Sequence, residues 1–254
     1  MFSEIKWMLG YQIAALRRGI TTWRKDVSSW RRFWRSYKEY MRLTTTHPHI
    51  QPALDWLYPC IGDDIGETPI EPIYFYQDAW AFERIVQRRP SAHVDVGSHH
   101  KFVALLSKVV PVTMVDIRPL SLPLESLHFR QGSILDLPFE DGSVSSLSSL
   151  CVVEHIGLGR YGEPLDPFGT EKAIAELKRV LAPGGNLWLS MPVSDENVIH
   201  FNAGRIFSIE YVIRLIEPLQ VVEQAYIVGC TLQNHYEHRP WFATTALFEL
   251  KMPQ

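Results

Sequence analysis

The sequence is poor in cysteine and has no long hydrophobic run. Its three cysteines, Cys60, Cys151 and Cys230, are far apart and form no C-x-x-C pair. This pattern argues against a disulfide framework and against a thiolate zinc site, and it is typical of a reducing cytosol. No stretch approaches the roughly 18 apolar residues that span a bilayer, and the N-terminus has no signal-peptide core or cleavage site. We therefore expect a cytoplasmic protein.

Complete metal-binding motifs are also missing. His99 adjoins His100, His235 lies three residues before His238, and His155 stands alone. None of these spacings matches a ligand set such as H-E-x-x-H, so we predict no metal site. Internal repeats and low-complexity tracts are absent as well, so nothing in the sequence indicates a repeat architecture.

The composition is that of a folded domain. Hydrophobic residues make up 46% of the 254 residues and charged residues 21%. These fractions are close to the average of globular proteins and exclude wholesale disorder. The length fits one domain of ordinary size plus an extension of about 40–90 residues.

Positive charge is concentrated at the N-terminus. Residues 1–42 contain ten Lys and Arg against three acidic residues, whereas the remainder carries 15 basic and 25 acidic residues. Apolar and aromatic residues recur there at intervals of 4, 3, 4, 3 and 4, which places them on one helix face: Trp23, Val27, Trp30, Trp34, Tyr37 and Met41. We predict a basic amphipathic helical extension on an acidic body.

Three interpretations of this extension stay open. The aromatic face packs on the body or on a protein partner, or the helix lies on an anionic membrane surface with its tryptophans at the interface. Nucleic-acid binding is the third, and we do not expect it because no nucleic-acid motif accompanies the charge. The protein is thus expected to be cytoplasmic, with membrane association through residues 1–42 as one alternative.

The chain divides into three segments. Residues 1–43 form the helical extension, and residues 44–72, rich in Pro and Gly, form a linker or strap. Residues 73–254 form the main domain, which begins with a helix that ends before Pro90.

In the main domain, short apolar runs alternate with helical segments. Helices are predicted at 101–108, 170–181 with Thr170 as cap, and 208–216; strands are predicted at 93–96, 112–115, 127–129, 144–153, 186–191, 221–228 and 244–250. Such alternation predicts an α/β fold with a mostly parallel, Rossmann-like sheet covered on both faces. The last two strands have no helix between them, so we expect an antiparallel pair at one edge.

Acidic residues stand at the ends of the first two predicted strands. Ligands of such sheets bind where the strands end. Asp95 can accept from an ammonium group, and Gly97 lets the backbone turn beside a ligand. Asp116, at the end of the second strand, can bind both hydroxyls of a ribose.

Longer motifs in this region resemble the class I S-adenosylmethionine-dependent methyltransferases. The matching stretches are VDVGS (94–98), VDIRP (115–119), QGSILDLPFEDGSVSSLSSLCVVEHIG (131–157) and AIAELKRVLAPGGNLWLSMPV (173–193). More narrowly, LCVVEHIGLGRYGEPLDPFG (150–169) and FNAGRIFS (201–208) resemble the uncharacterised family catalogued as domain of unknown function 268.

The resemblance implies S-adenosylmethionine as cofactor and assigns residues to it. Asp95, Gly97 and Ser98 would contact the methionine end, and Asp116 the ribose. The remaining assignments are Ile117, Ser133 and Ile134 at the adenine, and Leu150 and Cys151 beside the sulfonium.

Two positions depart from the methyltransferase pattern. Gly97 is followed by Ser98, His99, His100 and Lys101, where the family has further glycines. The acid that often contacts the adenine amino group is replaced by Ser133.

Candidate residues for substrate chemistry follow the fourth strand. Glu154 and His155 are candidates for the base that accepts the acceptor's proton, although the His can instead cap the loop. Polar side chains in the loops beyond are candidates for substrate binding, with surface salt bridges as the alternative for the arginines: Arg160, Tyr161, Asp166, Asn202 and Arg205.

We therefore predict an S-adenosylmethionine-dependent methyltransferase acting on oxygen, or on nitrogen, of a small polar acceptor such as a sugar or glycan intermediate. The alternative is a non-catalytic member of the fold that acts as a scaffold or regulator through its basic N-terminal helix.

Overall fold

The computed structural model describes residues 27–237 and 244–254. The chain divides into two units, Met1–Pro69 and Ile70–Gln254. Trp23 and the rest of the basic extension before residue 27 lie outside the described residues, as does His238 of the second histidine pair.

The described part of the first unit consists of one helix and an irregular segment. Helix α1 covers residues 27–43, and it is followed by two short 3-10 turns at Pro48–Ile50 and Leu54–Trp56. Thr44 follows the helix and its hydroxyl donates to the Tyr40 carbonyl at 2.8 Å. No helix in the described ranges is both long and apolar enough to cross a membrane.

The second unit is an α/β domain. Its helices are α2 (Pro72–Arg88), α3 (His100–Leu106), α4 (Gly169–Val180) and α5 (Ile209–Ile216). Its strands are β1 (His93–Val96), β2 (Val112–Asp116), β3 (Leu127–Gln131), β4 (Val144–Leu150), β5 (Leu181–Ser194), β6 (Val198–His200), β7 (Gly204–Ser208), β8 (Gln220–Val228), β9 (Thr231–Gln233) and β10 (Thr244–Lys251). A 3-10 turn at Val153–His155 follows β4.

The sheet has the order β3-β2-β1-β4-β5-β10-β8-β9. Strands β1 to β5 are parallel, and β10 runs antiparallel to both β5 and β8. The predicted mostly parallel sheet with an antiparallel pair is confirmed. Sequence reading missed three short strands, of which β9 forms the sheet edge and β6 and β7 form a hairpin beyond β5.

Both faces of the sheet are covered. Alternate side chains of β5 point in opposite directions, as the period of a strand requires. Leu187 and Leu189 belong to the core formed with α4 and α5, whereas Trp188 packs in the core formed with α2 and α3. The central strands therefore have apolar residues on both faces.

Three predictions of local structure are wrong. The strand predicted over 144–153 ends earlier, because β4 covers Val144–Leu150 and Val153–His155 form a 3-10 turn. Thr170 is not a cap, because α4 begins at Gly169 after Phe168, and the Thr170 hydroxyl donates to the Val153 carbonyl at 2.7 Å. The Pro183–Gly185 segment does not precede the strand but lies within β5, where Gly184 donates to the Met252 carbonyl near the C-terminus. Pairing with a segment distant in sequence overrides the local turn signal.

Candidate functional site

Two adjoining cavities open at the carboxyl ends of the parallel strands. The inner pocket, of about 100 Å³, lies between the ends of β2, β3 and β4. The outer cavity, of about 640 Å³, also reaches the start of α2 and the loop after β1. Both are lined by the same six residues: Gly97, Asp116, Arg118, Cys151, His155 and Tyr161.

The walls of the inner pocket come from the loops after β2 and β3. These loops emerge side by side because Asp116 pairs with Gln131 in the parallel register of the two strands. The structure thereby brings together the three residues predicted to contact the adenine, Ile117, Ser133 and Ile134. The Ser133 hydroxyl accepts a hydrogen bond from the backbone N–H of Leu135 at 3.1 Å, which fixes the turn that carries them.

Asp116 stands where the two cavities meet. Its Oδ1 accepts from the backbone N–H of Arg118 at 2.8 Å, an interaction that orients the carboxylate. Among the described residues, nothing donates a hydrogen bond to Oδ2. The side chain is 12% exposed, so one carboxylate oxygen remains available at the junction.

Asp95 does not line either cavity, which corrects the prediction that it contacts a ligand directly. Its Oδ1 accepts from the Ser98 backbone N–H at 3.1 Å, and its Oδ2 accepts from the Ser148 hydroxyl at 2.5 Å. Ser98 lines the outer cavity, but its hydroxyl accepts from the Leu150 N–H at 3.0 Å. These two residues hold the loop between β1 and α3 in place.

Asp95 belongs to a buried polar chain that continues through the sheet. The Ser148 hydroxyl contacts His93 Nε2 at 2.9 Å, and His93 Nδ1 contacts the Ser146 hydroxyl at 2.7 Å. Burial raises the pKa of Asp95 to about 6 and lowers the pKa of His93 to about 3. His93 is therefore a neutral hydrogen-bonding residue at physiological pH.

Gly97 and Cys151 line both cavities and have positive backbone φ angles. Gly97 has φ +72°, and a Cβ at this position would lie 3.0 Å from a methyl carbon of Val152. Cys151 also has positive φ, +52°, which is strained for a residue with a side chain. Its N–H donates to the Ser190 hydroxyl at 2.9 Å. Leu150, which precedes it, lines the outer cavity.

Glu154 is a buried carboxyl group that lines the outer cavity. Its side chain is only 5% exposed, and no donor in the described part of the chain reaches Oε2. Burial raises the pKa of Glu154 to about 8, although the thiol of Cys151 and the charge of Arg160 oppose the shift. At neutral pH most molecules carry this carboxyl group protonated.

His155 is oriented by the tip of the β6–β7 hairpin. Its Nδ1 lies 2.7 Å from the Ala203 carbonyl, which places the proton of the neutral ring on Nδ1. Burial, with the nearby charge of Arg160, lowers the pKa of His155. Its Nε2 lies 3.7 Å from Glu154 Oε1. The neutral ring therefore has its acceptor nitrogen on the side of Glu154.

Two arginines flank the aromatic ring of Tyr161 in the outer cavity. The guanidinium carbon of Arg118 lies 4.5 Å from the ring centre, and that of Arg160 lies 5.3 Å away. Arg160 also donates to the Ala203 carbonyl at 2.8 Å. Arg160 and Tyr161, two of the predicted substrate-binding residues, thus line the outer cavity beside His155.

The other three predicted substrate residues lie outside both cavities. Arg205 is 2% exposed and donates to the carbonyls of Ile156 and Asp166 and to the Thr170 hydroxyl. The Asp166 carboxylate pairs with Lys172 at 2.6 Å. Asn202 is exposed at the hairpin tip. Arg205 and Asp166 shape the loop, whereas a substrate contact for the exposed Asn202 stays a prediction.

Several residues that line the two cavities were missed by sequence reading, among them Tyr74, Arg118 and Glu163. Tyr74 enters the outer cavity from the first turn of α2, Arg118 from the segment after β2, and Glu163 lines the inner pocket. Arg118 had a local signal, since it lies two residues after Asp116 at the end of a strand. Tyr74 had none, because only packing brings α2 to this edge.

The comparisons with known proteins agree with this architecture. The family described as "Caenorhabditis protein of unknown function, DUF268" matches residues 141–224, which confirms the resemblance to that family over this segment. No curated protein matches the chain.

Solved structures with similar folds include methyltransferases. The N-methyltransferase NodS from Bradyrhizobium japonicum WM9, in complex with S-adenosyl-L-homocysteine, is 17% identical; the match covers 76% of this chain and 93% of NodS, with a TM-score of 0.53. The 1,6-didemethyltoxoflavin-N1-methyltransferase of Burkholderia thailandensis, with bound 1,6-didemethyltoxoflavin and S-adenosylhomocysteine, is 14% identical over 74% of this chain and 93% of that chain, with a TM-score of 0.50. The chain therefore has the Rossmann-like fold of class I methyltransferases.

Proposed function

We propose that this protein is an S-adenosylmethionine-dependent methyltransferase. The observation that carries the proposal is the pair of adjoining cavities. The inner pocket is sized for a flat ring and opens into the larger outer cavity across Asp116 and Cys151. An elongated ligand with a nucleoside at one end and an amino acid at the other fits this shape. Its reactive centre would then face the space that a second substrate can enter.

The residues of the cleft fit the adenosine half of this cofactor. The unengaged Oδ2 of Asp116 would accept from a ribose hydroxyl, and Ile117 and Leu135 would cover the adenine. Gly97 supports the fit independently, because a side chain at this position would crowd Val152 and project beside the ligand. Ser133 offers a neutral contact where many methyltransferases have an acid.

The outer cavity would hold the acceptor. When bound, the cofactor supplies an electrophilic methyl group, so the chain must position a nucleophilic oxygen or nitrogen and accept its proton. The ionised fraction of Glu154 would accept that proton, since its Oε2 has no donor among the described residues and its raised pKa makes it a stronger base. His155, with its acceptor nitrogen beside Glu154, would orient the acceptor. We propose a small polar acceptor such as a sugar or glycan intermediate.

Cofactor binding depends, in this proposal, on the carboxylate of Asp116. We expect Asp116→Ala to weaken binding of S-adenosylmethionine and S-adenosylhomocysteine by about 100-fold, because charge-assisted hydrogen bonds to the ribose worth about 3 kcal/mol are lost. Isothermal titration calorimetry of the full chain measures this effect. Asp136→Ala is the matched control, since Asp136 is exposed after β3 and lies outside both cavities.

Two results of this titration would contradict the proposal. Equal affinity in Asp116→Ala and wild type would place the cofactor elsewhere. No binding to the wild type would remove the enzyme and favour the scaffold or regulatory alternative.

We further propose that the first unit binds an anionic membrane surface. On α1, Trp30 and Trp34 are each about two-fifths exposed, at 41% and 42%. Arg31, Arg35 and Lys38 border the same surface as these tryptophans. Exposed tryptophans beside arginines match the chemistry of an interfacial helix on anionic lipid.

Membrane binding is expected to depend on the charge of α1. The double substitution Arg31→Gln/Arg35→Gln should weaken binding to vesicles of phosphatidylcholine and phosphatidylserine by about 30-fold, or about 2 kcal/mol, at about 1 kcal/mol per charge. Co-sedimentation of the full chain measures it. Lys108→Gln/Arg214→Gln removes the same charge from exposed sites of the second unit and should have little effect. Equal pelleting of the two double variants would contradict the proposal.

A further inference from the structure

The arginines beside Tyr161 have hydrogen-bond donors to spare. Arg118 is 61% exposed, and among the described residues its side chain donates one hydrogen bond, from Nε to Asp116 Oδ1 at 3.4 Å. Arg160 uses Nη1 for the Ala203 carbonyl, and among the described residues its Nε and Nη2 have no partner. Both guanidinium groups line the outer cavity.

The ring that both arginines contact is held in place. The backbone N–H of Tyr161 donates to Glu163 Oε2 at 2.9 Å, and the ring makes an edge-to-face contact with His155, with centres 6.1 Å apart. Stacking on an aromatic ring limits the orientations of a guanidinium group and leaves its N–H edge free. The two cations are thus positioned with N–H groups that remain available to a ligand.

The acidic groups of the outer cavity neutralise these charges only in part. Glu71 is the N-cap of α2, where its carboxylate accepts from the Ile73 N–H at 3.3 Å. Asp116 contacts Arg118, but the proposed function assigns its other oxygen to the ribose. Glu154 is protonated in most molecules at neutral pH because of its burial. Arg160 therefore has no carboxylate partner among the described residues, and Arg118 has only the single contact with Asp116.

We infer that Arg118 and Arg160, positioned by Tyr161, form a subsite for a phosphate monoester group of the methyl acceptor. Two guanidinium groups in one cavity match the double negative charge and multiple acceptor oxygens of such a group. This inference rests on the proposed function and narrows its acceptor to phosphorylated small molecules. The nucleophile of the acceptor would then be directed toward Glu154.

Methyl phosphate, the smallest monoester, is the probe for this subsite. We expect it to bind the full chain saturated with S-adenosylhomocysteine at pH 7.5, as followed by ³¹P NMR. Arg118→Gln and Arg160→Gln should each weaken this binding by about tenfold, since each removes one charge-assisted contact. Lys172→Gln is the matched control, because Lys172 is exposed and pairs with Asp166 outside the cavity. The affinity of the Lys172→Gln variant for methyl phosphate should stay within about twofold of the wild-type value.

Two outcomes would overturn the subsite. Equal binding of methyl phosphate to wild type and to both arginine variants would show that the probe binds elsewhere. Competition between methyl phosphate and S-adenosylhomocysteine would assign the arginines to the cofactor's own carboxylate. The methyl phosphate titration is also run without S-adenosylhomocysteine. If S-adenosylhomocysteine does not bind, the proposed function is contradicted. The comparison of methyl phosphate binding by wild type and by the two arginine variants then still decides the subsite.

Discussion

Glu154→Gln is expected to make the chain more stable at alkaline pH. Relative to wild type, the variant should gain about 4 kcal/mol in free energy of unfolding between pH 5 and pH 9. The reason is that burial raises the pKa of Glu154 from 4.5 to about 8. A glutamine of the same shape has no charge to bury, so its stability does not depend on this titration.

The direction of this pH dependence follows from the number of protons that Glu154 binds in the folded and in the unfolded chain. Between pH 4.5 and 8 the unfolded chain has lost the Glu154 proton while the folded chain retains it. Rising pH therefore favours the unfolded state of the wild type, and the whole destabilisation is present above pH 8. Below pH 4.5 both states are protonated and the difference between wild type and variant is small.

Urea unfolding of the full chain at pH 5, 7 and 9 measures the effect. Glu125→Gln is the matched control, because Glu125 is exposed and its substitution should change stability by no more than about 0.5 kcal/mol at any of these pH values. A Glu154→Gln variant that is less stable than wild type at all three would show that the carboxyl group is a structural hydrogen-bonding residue. The expected gain would instead mark a group that destabilises the fold, as proton-transfer residues do.

Arg205→Ala is expected to destabilise the chain by about 3–5 kcal/mol. Arg205 is buried and donates to the carbonyls of Ile156 and Asp166 and to the Thr170 hydroxyl. Removing the guanidinium group takes away the donor to the Ile156 carbonyl and one of the two donors to the Asp166 carbonyl, which also accepts from the Gly169 N–H, and it opens a cavity. Arg205→Lys should recover part of the loss, because an ammonium group reaches fewer acceptors than the planar guanidinium group.

Urea unfolding at pH 7 tests this prediction, with Arg214→Ala as control. Arg214 is exposed on α5, so its loss should change stability by about 0.5 kcal/mol or less. An Arg205→Ala variant with wild-type stability that no longer binds methyl phosphate would contradict the structural role. That result would restore the substrate-contacting role that sequence reading suggested.

Much of the inner pocket was predictable from the sequence. Ile117, Ser133 and Ile134 follow the ends of consecutive parallel strands, and parallel strands place such ends at one edge of the sheet. Cys151 follows β4 in the same way and lines both cavities. A sequence motif is sufficient to predict a site residue wherever that residue closely follows the end of its strand.

Residues that make long-range contacts were not predictable in the same way. The sequence suggested a ligand contact for Asp95, but Ser148 of the neighbouring strand β4 takes its second oxygen. His155 was placed correctly after β4, yet its tautomer depends on Ala203, some 48 residues away. Such roles depend on which groups the fold brings within hydrogen-bond distance.

By itself the sequence determined the class of the fold and the edge of the sheet where the cleft lies, because strand periodicity and the order of elements are local properties. It also placed Asp116 at the end of β2. Only the tertiary structure decided that Arg205 supports a loop while Arg118 lines the cavity. The physical reason is that a charged side chain binds a ligand only if its donors remain free, and this depends on backbone carbonyls contributed by distant segments.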